Sequence, residues 1–218
     1  MSRRIEVLAE MVNEGAVVAD IGTDHAFLPI LLRRSGRAEK VYACDVRSGP
    51  LLAAKKNIEK AKVSGIETIL SDGFANVPAD AKTAVIAGMG YFTAVKILED
   101  ASARLGDFDQ IIVEVNREEE RMRSWISEHC FTILDERCVY EKGFDYVCIS
   151  FAALQHAPYS REEILLGPML LKKKEAAFLA MCERKRQLIL DILSRRTRQD
   201  ETTQALQEKL AIYSKIKT

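Results

Sequence analysis

The segment VVADIGTDHA, residues 17–26, decides how this chain folds. Residues 17–21 form a short apolar run typical of a buried strand, and Gly22 ends the run where a helical pattern takes over. A strand that turns at once into a helix is the usual ligand-binding position of an open α/β sheet. The segment therefore predicts an α/β fold with a small-molecule site at this turn.

The first 151 residues repeat this alternation of strand and helix. Further strands are predicted over 41–45, 68–70, 84–87 and 111–115, and helices over 28–35, 48–62, 91–103 and 117–128. Two more strands, 131–139 and 144–151, follow without a helix between them and leave a turn at 140–143. Five parallel strands closed by an antiparallel hairpin predict a seven-stranded, Rossmann-like sheet of the class I methyltransferase type.

Beyond residue 157 the composition changes and no strand pattern remains. A long helix is predicted to begin near Met169, and a break at 197–203 separates it from a second helix. Apolar residues at helical spacing predict that the two helices pack as a coiled-coil hairpin. We therefore divide the chain into a cofactor-binding domain, 1–157, and a helical hairpin, 158–218.

Charge is unevenly distributed, although the net charge of the whole chain is zero. Residues 158–218 contain 13 Lys/Arg and 8 Asp/Glu, whereas residues 1–157 contain 19 and 24. A basic tail on an acidic body favours a polyanionic partner for the tail. An ordinary solvated helical surface is the alternative that charge alone leaves open.

Composition argues against several classes of protein. The chain has 218 residues, of which 48% are hydrophobic and 29% charged, as expected for a packed core. No apolar run approaches the ~20 residues of a membrane span, and the N-terminus lacks the apolar stretch of a secretory signal. Five scattered cysteines and three histidines without ligand spacing argue against disulfides and metal. We expect a cytoplasmic monomer or weak dimer with no metal or membrane partner.

The turn after the first strand contains one glycine and two carboxylates, Asp20 and Asp24. These charges would repel the phosphates of NAD, FAD or ATP, and the Gly-x-Gly-x-x-Gly pattern is absent. S-adenosylmethionine (SAM) has no phosphate and carries an ammonium and a sulfonium, so it fits better. Gly22 would let the backbone approach this ligand closely. A structural turn with a helix N-cap at Thr23 or Asp24 is the alternative.

Polar and small residues follow the other strands at the same edge. Asp45, 23 residues beyond Gly22, is placed to accept the ribose hydroxyls. Asp72 would bind the adenine amino group, although Asp-Gly is also a common turn. His25 could act as a base, but a lone histidine is more often structural. The predicted cofactor-binding residues are Asp20, Gly22, Thr23, His25, Asp45, Asp72, Gly73, Gly88 and Met89.

Several motifs together resemble the bacterial tRNA (adenine-N1)-methyltransferases that modify adenine 22, the TrmK-type family. They are Ser2-Arg3-Arg4-Ile5, ADIGTDHAFLP at 19–29, Gly49-Pro50, Asp72-Gly73, IAGMG at 86–90, Arg123-x-Trp125 and Gly167-Pro168. The resemblance covers nearly the whole chain. It implies a Rossmann-like methyltransferase domain with a C-terminal coiled-coil hairpin, SAM as the cofactor and tRNA as the partner.

The resemblance also implies methyl transfer to N1 of an adenine in RNA. Asp24 would receive the positive charge that forms on the base or hold its amine, and Tyr91 would stack on the flipped base. Tyr91 stands where the family usually has a second glycine, and Glu114-Val115-Asn116 where it usually has Gln-Pro-Asn. The alternatives are another RNA, a small-molecule or a protein substrate, and a SAM-binding module without turnover.

Overall fold

A computed structural model describes residues 2–196, 198 and 200–216. Its strands are β1 Ala16–Ile21, β2 Ala38–Asp45, β3 Ile66–Leu70, β4 Thr83–Ala87, β5 Gln110–Glu114, β6 Phe131–Glu141 and β7 Phe144–Gln155. They form one sheet in the order β3-β2-β1-β4-β5-β7-β6. Strands β1 to β5 pair in parallel, whereas β7 is antiparallel to both β5 and β6. The predicted sheet and its closing hairpin are confirmed.

Helices cover both faces of this sheet. They are α1 Arg3–Met11, α2 Phe27–Arg34, α3 Ser48–Ala61, α4 Tyr91–Asp100, α5 Glu119–Glu128, α6 Arg161–Leu166, α7 Pro168–Lys173, α8 Ala176–Arg195 and α9 Glu201–Tyr213. The helix predicted over 91–103 is α4, which ends at Asp100 and is followed by a 3₁₀ helix, Ser102–Asp107. Helix α1 was not predicted, and it packs against α2 and the antiparallel strands β6 and β7.

Alternating residues of the central strands supply the two halves of the core. Val18, Val85 and Ile112 pack with residues of α1 and α2. Their neighbours Ala19 and Ile86 point to the other face, which α4, α5 and the C-terminal helices cover. Strands buried on both faces are apolar throughout, which explains why the central strands were recognisable as continuous apolar runs.

The turn between β6 and β7 is shorter than predicted. It consists of Lys142 and Gly143, whose φ values are +51° and +87°. Positive φ at both positions is the geometry of a two-residue hairpin turn that matches the twist of the flanking strands. Both strands consequently extend further than the predicted ranges 131–139 and 144–151.

The C-terminal helices differ from the prediction in two ways. The helix expected from Met169 is interrupted, because α7 ends at Lys173, the following Lys174 has φ +50°, and α8 begins at Ala176. The apolar residues Phe178 and Tyr213 belong to the same buried cluster as the sheet. Helices α8 and α9 pack against each other, while coiled-coil packing and the boundary at 157/158 stay predictions. The predicted break at 197–203 includes two residues outside the described ones, 197 and 199.

A buried ion pair fastens these helices to the sheet. Arg123 in α5 donates from Nε to Glu136 Oε1 in β6 over 2.6 Å, and the two side chains are 1% and 0% exposed. Arg123 also donates to two carbonyl oxygens in the last turn of α6, and Glu136 Oε2 accepts from the backbone N of Met169. A Cβ on Gly167 would lie 2.6 Å from Glu136 Oε2, so this position requires glycine.

Candidate functional site

The ends of β1 and β2 are tied together by backbone hydrogen bonds. Gly22 N and Thr23 N both donate to the carbonyl oxygen of Cys44, over 2.8 and 2.9 Å. Strand order places β1 and β4 at the centre, with connections leading outward on either side. This is the switch point of an open α/β sheet, where ligands bind beyond the carboxyl ends of the strands.

Gly22 brings the turn after β1 against the loop after β4. Its φ is +80°, and a Cβ at this position would lie 2.7 Å from Cε of Met89. Any larger residue would therefore be strained and would push Met89 away. The two loops that were predicted separately to contact the cofactor are in contact with each other.

Two buried carboxylates lie at this edge of the sheet. Asp20 and Asp45 are both buried, and Asp45 Oδ1 accepts a hydrogen bond from the backbone N of Arg47 over 2.9 Å. Burial raises the pKa of Asp20 from 3.8 to about 6, and the negative charge of Asp45 adds to the rise. A cationic ligand placed here would stabilise the ionised form of Asp20.

Thr23 carries a buried hydroxyl beside the carboxylate of Asp20. A hydrogen bond between the two side chains lowers the pKa of Asp20 and so opposes the effect of burial. Among the described residues, Thr23 Oγ1 has no other hydrogen-bond partner, so the hydroxyl retains a lone pair that could accept a hydrogen bond from a ligand. The turn thus fits the amino acid part of SAM, which offers both hydrogen bonds and positive charge.

Apolar side chains border the ends of β2 and β3. Val46 and Leu70 are exposed although they are large and hydrophobic, and Leu70 lies opposite Asp45 in the sheet register. The adjacent turn is fixed, because Ser71 Oγ donates to the carbonyl of Gly73 over 2.9 Å. Val46 and Leu70 could bind the faces of a flat ring whose amino group reaches exposed Asp72. The predicted cofactor-binding residues did not include Val46 or Leu70, although apolar residues directly at strand ends are a pattern that the sequence shows.

Asp24 and His25 lie at the outer rim of the turn. Asp24 is 66% exposed, and its Oδ2 lies 3.6 Å from His25 Nε2. The backbone is unusual here, with φ of +48° at Asp24 and +57° at Ala26. Such conformations are costly for residues other than glycine and are frequent at functional sites. They direct the Asp24 carboxylate to solvent instead of into the core.

Glu114 is buried at the end of β5, where the family pattern has glutamine. Its Oε2 accepts from Arg4 Nη1 over 2.8 Å and from Gly88 N over 3.1 Å, and its Oε1 accepts from Asn116 N over 2.9 Å. The ion pair with Arg4 balances the additional charge. Glu114 thereby joins α1 to the loops after β4 and β5, a role of Arg4 that sequence reasoning missed.

A groove of about 580 Å³ lies between helices α8 and α9 and the hairpin of β6 and β7. It borders the carboxyl edge of the sheet, because Arg117 follows β5 and Phe144 begins the antiparallel β7. The Arg117 guanidinium stacks on Phe144 at 3.9 Å, and the Arg184 guanidinium stacks on Tyr140 at 4.3 Å. Arginines on aromatic rings are a common feature of surfaces that bind nucleic acids.

The described residues contain no metal centre and no helix that could span a membrane. Among them, no group of three or more His, Cys, Asp and Glu side chains could hold a metal ion. No described helix is long and apolar enough to cross a membrane. The absence of a metal from the working protein stays a prediction.

Residues 1–149 match the family model described as a methyltransferase domain, the class that the strand order and the turn after β1 define. A curated protein of Bacillus subtilis (strain 168), "tRNA (adenine(22)-N(1))-methyltransferase", is 33% identical over 186 residues. The alignment covers 82% of this chain and 78% of that protein. The chain therefore belongs to the tRNA (adenine(22)-N(1))-methyltransferase family.

Solved structures extend the similarity to the C-terminal helices. A Streptococcus pneumoniae protein in complex with S-adenosyl-L-methionine is 29% identical, with a TM-score of 0.85 over 99% of this chain and 98% of that one. M. capricolum TrmK in complex with S-adenosyl-homocysteine is 27% identical, with a TM-score of 0.83 over 99% and 96%. The predicted family, fold class and cofactor are confirmed, whereas the individual site residues stay predictions.

Proposed function

We propose that this chain transfers the methyl group of SAM to N1 of adenine 22 in tRNA. The observation that supports this most strongly is the turn at Gly22, where the buried carboxylate of Asp20 and the buried hydroxyl of Thr23 meet beside a glycine. This turn suits a cationic, phosphate-free cofactor. The target base and its position are carried over from the curated relative, to which the chain is similar over most of its length.

Each part of the cofactor has a matching part of the site. Asp20 and Thr23 face the amino acid part, Asp45 is placed for the ribose hydroxyls, and Asp72 for the adenine amino group. Gly22 and Gly88 allow close approach, and Met89 lies between the two loops. When bound, SAM supplies an electrophilic methyl group on its sulfonium.

The chain itself aligns the reactants and stabilises charge. N1 of adenine has an available lone pair, so it needs no base before it attacks, but the product is cationic. Asp24 is the exposed carboxylate at the rim that can offset this charge. Tyr91 begins α4 directly after Gly90 and is placed to stack on the base. N1 lies on the pairing edge, so the adenine must be unpaired or flipped out.

Cofactor affinity is expected to depend on the ionisation of Asp20. Its raised pKa means that folding is favoured by this group at low pH and that this contribution is lost as the pH rises through about 6. The affinity for SAM has the opposite pH dependence and increases as the pH rises, because the ammonium of SAM interacts more favourably with the ionised carboxylate. We expect the Kd for SAM to rise about 10-fold from pH 7 to pH 5, as one-proton linkage requires.

Calorimetric titration across this range measures the effect, and two variants identify its source. Asp20→Asn should bind SAM more weakly at pH 7 and show a flat profile below that pH. His25→Gln should retain the profile of the wild type. A wild-type Kd that is equal at pH 5 and pH 7 contradicts the assigned role of Asp20.

We infer that the C-terminal helices, residues 158–218, contact the tRNA. Lys173 and Arg196 are held by Asp135 and Asp200, whereas Lys172 and Lys174 are exposed without an ion pair among the described residues. Such lysines can neutralise phosphates. The groove described above lies between these helices and the catalytic edge, which gives an RNA a surface shared by both.

Charge reversal tests this contact better than deletion, because removing the helices would expose the core. The variant Lys172→Glu/Lys174→Glu is expected to weaken tRNA binding and to reduce the slope of log Kd against log salt by about 1 to 2. The Kd for SAM should not change. Lys82→Glu, at the opposite edge of the sheet, is the control. An unchanged salt slope in the double variant would remove these lysines from the RNA surface.

The function is tested by nucleoside mass spectrometry of unmodified tRNA after incubation with the chain and SAM. We expect N1-methyladenosine, mapped to position 22. Another methylated nucleoside would indicate a different RNA target. Tight SAM binding without transfer to any tRNA would favour a small-molecule or protein substrate, or a module without turnover.

A further inference from the structure

Phe92 is an exposed aromatic residue at the edge of the catalytic site. It is 71% exposed and lies in the first turn of α4, two residues beyond Gly90 and directly after Tyr91. An exposed phenylalanine leaves apolar surface in water, which is unfavourable, and Phe92 is not part of the buried core. Phe92 directly follows the loop after β4, and so it lies at the edge of the sheet where we propose that the cofactor binds.

The ring of Phe92 is oriented by its neighbours although it is exposed. The guanidinium of Arg121 lies 4.5 Å from the centroid of Phe92 and 4.1 Å from that of Tyr91. The two rings meet edge to face, with centroids 5.5 Å apart and planes at 70°. Glu118 accepts from Arg121 over 2.6 Å and from the backbone N of Tyr91 over 3.4 Å. The cluster therefore holds an apolar ring in place before a partner arrives.

We propose that Phe92, supported by Arg121, is a stacking platform for the nucleobase adjacent to the methylated adenine. This inference rests on the proposed function and specifies how the RNA is held. Extrusion of a target base removes a stacking partner from its neighbour, so a second flat surface beside the site restores that contact. Aromatic rings and arginine planes are the groups with which proteins stack unpaired RNA bases. Tyr91 remains assigned to the extruded adenine.

The test measures steady-state methylation of a tRNA transcript by the wild type and three Phe92 variants. Phe92→Ala and Phe92→Leu should both raise KM for tRNA about 10-fold, the effect of losing one base stack. Phe92→Trp should stay within about twofold of the wild type, because it keeps a stacking face. The Kd for SAM should be unchanged throughout. Leu154→Ala, an exposed apolar residue at the opposite edge of the sheet, is the control.

Transcripts with an abasic site on either side of the target identify the stacked base. At one of these positions, loss of the base should raise KM for the wild type but leave KM for Phe92→Ala unchanged, because the two changes remove the same contact. All variants should melt within about 2 °C of the wild type, since surface substitutions rarely change stability.

The outcomes separate the two proposals. If the wild type methylates tRNA but Phe92→Ala keeps its KM, the platform is wrong and the proposed function stands. Recovery of KM by Phe92→Leu would likewise overturn stacking, because a leucine offers bulk without a ring. A wild type that methylates no tRNA would overturn both proposals. An altered oligomeric state in Phe92→Ala would assign the ring to a contact between copies and overturn the platform.

Discussion

Asp24→Asn is expected to lower kcat for methyl transfer about 100-fold or more, the cost of losing one preorganised electrostatic contact in a transition state. The reason is that methylation of N1 creates a positive charge on the base, and we propose that this base lies beside the exposed Asp24 carboxylate at the rim of the turn. An amide has the same shape without the charge. Steady-state kinetics with a tRNA transcript measures the loss.

The substitution is well suited to isolate charge from structure. Asp24 has φ +48°, and asparagine tolerates this conformation as well as aspartate does. The turn should therefore keep its shape, and calorimetry should give a Kd for SAM within about twofold of the wild type. Asp107→Asn, an exposed carboxylate in the 3₁₀ helix before β5, should leave both parameters unchanged. Equal loss of SAM binding and turnover would refute a role for Asp24 in the chemical step.

Arg123→Met is expected to lower the free energy of unfolding by about 3–5 kcal/mol, the usual cost of breaking a buried ion pair from one side. The partner Glu136 is 0% exposed, and without Arg123 its charge would remain uncompensated in the core. The same change removes the hydrogen bonds to the last turn of α6. Urea denaturation followed by circular dichroism measures the difference.

Two control variants separate the effect of breaking a buried ion pair from the effect of removing any arginine. Arg186→Met breaks an exposed pair with Glu183 within α8 and should cost less than about 1 kcal/mol. The double variant Arg123→Met/Glu136→Met should recover much of the stability, because two apolar side chains leave no unpaired charge. A loss below about 1 kcal/mol in Arg123→Met alone would show that the pair contributes little.

The sheet was predictable because each central strand has a recognisable local sequence pattern. Central strands buried on both faces are continuous apolar runs, and the runs from 17 and 41 end at Gly22 and Asp45, two residues of the candidate site. The position of the candidate site follows from the same pattern, since parallel strands bring their carboxyl ends to one edge. What the local pattern could not give is the contact of Gly22 with Met89, which joins segments far apart in the chain.

Long-range pairs account for most of what was missed. Arg4 and Glu114 are separated by 110 positions, so no spacing rule connects them, and Glu114 was recognisable only as a departure from a family pattern. The end of α7 at Lys173 was missed because nothing in a run of lysines predicts the left-handed conformation of Lys174. The assignment of α8 and α9 to the core of the sheet depends on packing that helical spacing alone does not specify.

The shared interior of the sheet and the C-terminal helices has a thermodynamic consequence. Because Tyr213 and Ala19 lie in one continuous apolar cluster, neither part can open fully without exposing the other to water. We therefore expect that a small molecule bound at the distant strand ends slows amide exchange in α8 and α9 as well, without touching them.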